Sequence, residues 1–456
     1  MKKLLIISCV IVVVMCAILV VRNAFGEPQN NVSLVNEQPE SIVCSQPFMS
    51  EICDPAQVSS NCTKFIDGAY QHAQAPSPLP DQADIIDSST AIADFSQSLF
   101  RELLNGEHEN VIFSPLSLYY VLAMVALGAG GETAYEFQTV LGLDPLFLAS
   151  ELMYLTQSLL YTSGDTTLNI VASIWVNNEH IIHPDFNQAM TRYFSSCARP
   201  RDFSGNVYTT IDEINQWVYN QTYGLIVNPI TEIDPDDLLL LINALYISAQ
   251  WPQFFQEVQD VFYPESGYAQ DMTFLKTDVL WTYASVTDTY EAVLLTYNDN
   301  RLALFMVRPV CGISVRDFTI YNDIMAIYNR LDIIPGGFIV RMPQLDKMSE
   351  LKMNDYLMTM GFSSIFCPYT PSDFSGLLQE ALDECIYIRE AMQVARIITT
   401  RYGTEAAAVS IARPALTTGS CDLFPPRELN FNTPYLYMII DTETGIPLFV
   451  GVVDVP

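Results

Sequence analysis

The chain has 456 residues, half of them apolar, and carries 52 acidic against 21 basic side chains, for a formal net charge of −31. That is ample material for a large buried core. The charge argues against a nucleic-acid-binding face, and no cluster of Lys and Arg marks a heparin or acidic-lipid site.

Lys2 and Lys3 precede an apolar run over residues 4–21, followed by Arg22 and the small residues Ala24 and Gly26. This pattern predicts a signal peptide over residues 1–26, cleaved after Gly26, and a secreted, extracellular body. The rival reading is an uncleaved membrane anchor through residues 4–21. Residues 27–83 form a separate region. Cys44, Cys53 and Cys62 cluster there, where an oxidising compartment favours a disulfide, and Pro76, Pro78 and Pro80 mark a stiff linker. Cys311, Cys367 and Cys385 are expected as buried thiols. The sequons at Asn31, Asn61 and Asn220 suit the same compartment.

The main domain is expected over residues 84–456. Ile92, Phe95, Leu99 and Leu103 recur at helical spacing and predict a helix over 91–104, stopped by Gly106. Ser114-Pro115 opens a long apolar helix through Leu127, with Ser114 as N-cap and Pro115 in the first turn. A further helix is predicted over 132–141. Strand patterns follow at 168–176, 238–247, 292–295, 302–307 and 338–342, and a hairpin of 436–441 with 448–453 closes the chain around Thr444-Gly445. Helices dominate early and strands late, which is an α+β layout with large mixed sheets.

Several of these segments resemble the serpin family in order and spacing. Asn110-Val111-Ile112-Phe113-Ser114-Pro115-Leu116-Ser117 is similar to the start of its second helix. Asn215-Gln216-Trp217-Val218 with Thr222-Tyr223-Gly224-Leu225-Ile226 is similar to its helix F region. Asn243-Ala244-Leu245-Tyr246 with Trp251 resembles its central strand and characteristic tryptophan. Gly403-Thr404-Glu405-Ala406-Ala407-Ala408 resembles its hinge. Phe431-Asn432-Thr433-Pro434-Tyr435 and Gly445-Ile446-Pro447-Leu448-Phe449-Val450-Gly451 resemble its last strands.

The resemblance covers residues 90–456. It implies about three β-sheets, eight to nine helices and an exposed reactive-centre loop above a five-stranded sheet. A serine protease that cuts the loop is trapped as an acyl-enzyme when the loop inserts into that sheet. It also implies a polar cluster of Ser114, Ser117 and Asn243, with Gln393 where the family carries histidine. Arg401 stands where the family's hinge carries an acid. Counting from Gly403 by the family's usual length puts the cut at Thr417–Thr418, with Leu416 as neighbour. Counting back from Phe431 puts it at Leu423. Thr417 would suit an elastase-like pocket, and the leucines a chymotrypsin-like one.

The residues themselves support insertion. In a strand, side chains alternate between faces. One face would carry Thr404, Ala406, Ala408, Ser410 and Ala412, all small and uncharged, so it can enter a packed interior. The other would carry Glu405, Ala407, Val409, Ile411 and Arg413, with its charges toward water. Pro414 cannot donate in a central strand and should fray the end of the insertion. Taken alone, the alanine-rich run suits a helix equally well.

An enzyme is not expected. Neither HExxH nor GxSxG occurs among the motifs, and no cofactor or metal is called for. His180 and His183 are expected as ordinary surface histidines. The expected protein is a monomeric inhibitor. The rivals are a non-inhibitory relative (carrier, chaperone or storage protein) and a membrane-tethered interaction protein.

Overall fold

The computed structural model describes residues 82–106, 110–159, 162–163, 166–265, 267–310, 312–366, 372–379, 387–389, 391–404 and 425–456. Among them lie nine helices: α1 (Gln82–Asn105), α2 (Pro115–Ala126), α3 (Gly131–Leu141), α4 (Pro145–Leu159), α5 (Pro184–Phe194), α6 (Val207–Gln221), α7 (Val315–Tyr321), α8 (Ile324–Tyr328) and α9 (Asn354–Met360).

The strands are β1 (Val111–Phe113), β2 (Thr162–Ser163), β3 (Thr166–Asn177), β4 (Arg199–Arg201), β5 (Leu239–Gln250), β6 (Gln256–Phe262), β7 (Gln270–Lys276), β8 (Tyr283–Val286) and β9 (Tyr290–Thr296). They continue as β10 (Leu302–Pro309), β11 (Asp332–Ile333), β12 (Phe338–Pro343), β13 (Asp346–Lys352), β14 (Ala391–Thr400), β15 (Gly403–Thr404), β16 (Arg427–Asn430), β17 (Tyr435–Asp441) and β18 (Ile446–Val453).

Three sheets result. The first runs β1-β18-β17-β10-β9-β8-β11, the second β16-β12-β7-β6, and the third β13-β14-β15-β5-β3-β2, with β4 beside β3. The third sheet therefore has four long strands (β13, β14, β5 and β3), the three-residue β4 and the two-residue β15 and β2. Mixed sheets with early helices are the α+β architecture expected from the pattern of the chain.

The expected elements are present, and most are longer than their apolar cores. α1 begins nine residues before the predicted start because its stripe is read only from Ile92 onward. β5 runs three residues past Ile247, through Ser248, Ala249 and Gln250, where alternation with polar residues masks the strand. α2 is buried on every side, as its unbroken apolar sequence requires. Ser114 caps it by accepting from the Ser117 amide at 3.2 Å, and Pro115 occupies the first turn. β17 and β18 are likewise buried along their whole length.

Two apolar clusters flank the third sheet. Leu241, Leu245, Ile247 and Ala249 of β5, with Ala391, Ala395 and Ile397 of β14, face the main core. Ile242, Ala244 and Tyr246 of β5, with Val394 of β14, face a smaller cluster that includes Ile211, Ile214 and Val218 of α6 and Leu225 and Ile226 beyond it. The period of two along each strand makes this division. α6 is thus clamped across the sheet's outer face. Asn215 fastens the chain that follows it, donating to the Ile230 carbonyl at 2.8 Å and accepting from the Ile230 amide at 2.9 Å.

Candidate functional site

The third sheet is incomplete between β14 and β5. These strands run parallel and pair directly only at Ala391–Leu241, Met392–Ile242 and Gln393–Asn243. At the opposite end β15 stands between them. Thr404 pairs with Thr399 on one side and Ala249 on the other, and Gly403 pairs with Thr400 and Gln250. Continuing the lower register upward matches Thr399 with Ala249, so the two ends of the gap are in phase. Among the described residues no pair joins β14 to β5 between Gln393 and Thr399. The result is a slot one strand wide, occupied at its top by two residues.

The top is built from aromatics. Trp251 stacks on Tyr297 with ring centroids 4.4 Å apart and on Phe255 at 4.8 Å. Its indole donates to the Thr400 carbonyl at 3.1 Å, and its amide donates to the Tyr402 carbonyl at 2.9 Å. The turn over Arg401 and Tyr402 is thereby fixed through its backbone, with the Phe255 amide donating to the Arg401 carbonyl at 3.0 Å. The Arg401 guanidinium lies over the Tyr402 ring. The turn's main chain is therefore held without the acid that the resemblance implies at position 401.

Thr404 is 3% exposed, and its Oγ1 lies 2.6 Å from the Tyr297 hydroxyl. Burial pushes the Tyr297 phenol well above its ordinary range, so it stays a hydroxyl at physiological pH. Gly403 is required at its position, because a Cβ there would run into the Ala249 carbonyl oxygen.

The foot is polar. Gln393 Oε1 accepts from the Ser114 amide at 2.9 Å, and its Nε2 donates to the Ser114 carbonyl at 2.9 Å and to Asn243 Oδ1 at 2.7 Å. Ser117 Oγ donates to Asn243 Oδ1 at 2.9 Å and lies 3.2 Å from Gln393 Nε2. Glutamine both donates and accepts, so it closes the network at a position where the resemblance implies histidine. Below it Arg389 pairs with Asp237, Nε to Oδ1 at 2.7 Å, and with Asp234. These groups tie the foot of β14 to that of β5.

The structure brings Ser114, Ser117, Asn243 and Gln393 together, and sets Trp251 with Gly403 and Thr404 at the other end of the same slot. Glu405, Ala406, Ala407 and Ala408, the candidate cut sites Thr417, Thr418, Leu416 and Leu423, and the sequons at Asn31 and Asn61 lie outside the described residues. Asn220 is exposed near the end of α6. His183 is the N-cap of α5, accepting from the Asp185 amide at 3.2 Å. Among the described residues no three His, Cys, Asp or Glu side chains are placed to hold a metal.

The outer face of the sheet is only partly open along the slot. Its middle is covered by α6 and the segment after it. The Tyr223 ring packs on Tyr246 of β5 at 4.7 Å, and Arg396 of β14 donates to the Leu225 carbonyl at 3.2 Å. Sequence reasoning also missed Tyr297, Arg389 and Asp237, which no local motif marks.

The fold is thus a mixed sheet with a slot between β14 and β5 and a glycine-led strand stub seated in its top. The family model for Serpin (serine protease inhibitor) matches residues 90–456. The chain belongs to the serpin family, whose members are mostly protease inhibitors rather than enzymes.

Intracellular coagulation inhibitor 2 of Tachypleus tridentatus is 28% identical over 377 residues, covering 79% of this chain and 89% of that protein. Human neuroserpin is 26% identical over 385 residues, covering 79% and 90%. Among solved structures, native tengpin, a thermophilic serpin, superposes with a TM-score of 0.72 at 26% identity, covering 82% of this chain and 95% of that one. Human thyroxine-binding globulin shares the fold with a TM-score of 0.72 at 21% identity, covering 82% and 99%. One of these relatives is an inhibitor by name, whereas the thyroxine-binding globulin shares only the fold.

Proposed function

We propose that this protein is a secreted inhibitor that traps a serine protease by inserting its cut loop between β14 and β5. The observation that carries this reading is the seat of Gly403–Thr404. The loop's first residues already pair with both walls of a slot that is in phase from top to foot.

Extending the stub's antiparallel register sets Ala406 beside Ile397 and Ile247, Ala408 beside Ala395 and Leu245, and Ser410 beside Gln393 and Asn243. Ala412 then reaches Ala391 and Leu241, the first residue of β14. Every one of these side chains is small, and all point toward the main core. The next residues, Arg413 and Pro414, fall beyond β14, where a missing donor does no harm to a central ladder.

Eight further residues entering the sheet would form about ten backbone hydrogen bonds, worth on the order of 10 kcal/mol in all. That is comparable to the whole stability of an ordinary domain and is enough to drag a bound protease. Ser410 reaches the Gln393–Asn243 contact, so full insertion has to part the polar foot. A carrier or storage protein has no need of a small-residue loop in register with such a slot.

Secretion is supported by the charged and apolar run at residues 2–21 and by the accessible sequon at Asn220. An elastase-like or chymotrypsin-like target follows from Thr417 or the leucines at 416 and 423. Incubation with elastase-, chymotrypsin-, trypsin- and subtilisin-like enzymes should yield a covalent complex that survives SDS. Cleavage of the loop by the whole panel without any complex would remove the inhibitory reading. Mass spectrometry of the released fragment fixes the cut bond.

A further inference from the structure

We propose that an apolar stripe of Val279, Trp281, Tyr283 and Ile333, beside the place where the loop rejoins the body, is a second contact surface for the protease and helps to select it. This rests on the inhibitory reading and assigns it a surface outside the loop. Residues 277–282 carry the chain from β7 in the second sheet to β8 in the first. Side chains there alternate: Val279, Trp281 and Tyr283 are exposed, Leu280 and Thr282 partly buried, and Ala284 buried. Ile333 of β11 lies directly opposite Tyr283, so it joins the same face. All four side chains are between 41% and 60% open to water, at 43%, 58%, 48% and 51% in chain order.

The stripe is held firmly from below. Leu280 and Phe338 exchange both backbone hydrogen bonds, each 2.8 Å. Thr282 Oγ1 donates to the Leu294 carbonyl. Gly337, at φ +72°, lets the turn before β12 close onto the segment, because a Cβ there would come 2.9 Å from Val279 Cγ1 and 2.8 Å from the Leu280 carbonyl oxygen. On its other side β12 meets the chain returning from the loop. The Arg427 amide donates to the Gly337 carbonyl at 3.0 Å, and Arg427 pairs with Phe338. Leu280 is therefore two strand spacings, about 10 Å, from the first residue of β16. Pro425 and Pro426, just before that strand, are exposed.

Edges of sheets are ordinarily kept short and polar, and an apolar patch left open on one marks a contact. Four half-exposed side chains offer on the order of 400 Å², about half of what each partner gives in a standard interface. That is too little to hold a second copy of the chain, and β11, with two residues, is too short to add a strand across this edge. It is enough to supplement a contact made elsewhere. A protease seated on the loop makes such a contact and covers an area roughly 30 Å across, so its edge reaches the stripe. Tryptophan and tyrosine are favoured interface anchors, and here both are fixed in place before binding. The partner that fits is a protease with an apolar surface beside its cleft, on the side that receives the residues after the cut.

Trp281→Ala, Ile333→Ser and the two together test this in the full chain, against whichever enzyme of the panel the wild type traps. Trp281→Ala should slow covalent complex formation roughly tenfold or more, and Ile333→Ser by less. The number of inhibitor molecules consumed per protease, and the melting temperature of the uncut protein, should stay as they are, because loop and core are intact. Ile333 sits on a different element, so its slower rate decides the matter even if Trp281→Ala disturbs the crossing from β7 to β8. An unchanged rate in the double variant would overturn the proposal and leave the trap standing. A wild type that elutes from gel filtration as a dimer, with a double variant that elutes as a monomer and traps at the wild-type rate, would assign the stripe to a second copy instead. If the wild type traps no enzyme, the inhibitory reading fails and this proposal fails with it.

Discussion

The two ends of the slot are built by opposite means. At the top, the ties run around the space a strand would fill: Trp251 beyond β5 grips the turn over residues 400–402, and one hydroxyl pair between Tyr297 and Thr404 crosses into the wedge. At the foot, the ties run across that space. Gln393 and Asn243 bridge the strands directly, and Arg389 binds Asp234 and Asp237 just below. If the cut loop inserts as proposed, it enters at the top without first breaking a cross-strand bond and has to part the foot to finish. On that reading the difference separates starting the insertion from completing it.

The largest effect should come from the top. Thr404→Arg would force a guanidinium into a site sealed by Tyr297 and the main core. An unpaired buried charge costs several kcal/mol, so the stub should be expelled and the cut loop left outside. The number of inhibitor molecules consumed per protease trapped should rise roughly tenfold or more. An unchanged ratio would show that the slot does not begin at this residue.

The foot should respond as a lock. Asn243→Ala removes the acceptor used by both Gln393 Nε2 and Ser117 Oγ; Gln393 keeps the Ser114 carbonyl, and the buried Ser117 hydroxyl loses its acceptor. The uncut form should lose about 2–3 kcal/mol in urea unfolding. It should also convert more readily on warming to a higher-melting form. Loss of stability without that conversion would make the cluster mere packing and not a barrier to the strand.

Gln393→His sharpens the same point through pH. The resident glutamine cannot titrate, so the foot should be indifferent to pH between 5 and 8. A histidine there is 1% exposed in place of the glutamine and is surrounded by hydrogen-bonding groups of no net charge. Burial would hold its folded pKa below the unfolded value of about 6.5. The unfolded chain then binds more protons, so stability is full above that value and falls as pH drops below it. A loss of about 1–2 kcal/mol between pH 7.5 and 5.5, absent in the wild type, is the expected result.

Much of this was legible in the chain because it depends on periodicity. The strand faces follow from every second residue, as in β5 and β14, and the cap at Ser114 is local; of the inward set from Thr404 to Ala412 only Thr404 lies among the described residues. The substitution of Gln393 into the polar cluster was foreseeable because its donor and acceptor capacity is a property of the side chain itself. The cover over the outer face of the sheet was not legible. It depends on where α6, from far earlier in the chain, comes to rest against β5 and β14. Tyr297 was invisible for the same reason: a tyrosine at a strand end carries no sign that its hydroxyl meets Thr404.

The smallest effect belongs to that contact. Tyr297→Phe keeps the ring stacked on Trp251 and removes only the hydroxyl, so the aromatic frame of the top should survive. What is lost is one buried hydrogen bond, worth about 1 kcal/mol. The loss should appear where the bond acts, as faster hydrogen exchange at the Thr404 amide, with the amides of α2 unmoved. Thr404→Val removes the other half of the same pair while keeping the side chain's shape. Combined with Tyr297→Phe it should cost less than the two single changes added together, because both delete one interaction. Strict additivity would mean that the stub is held in the slot by its backbone pairing alone, and that the top and the foot differ less than the hydroxyl pair implies.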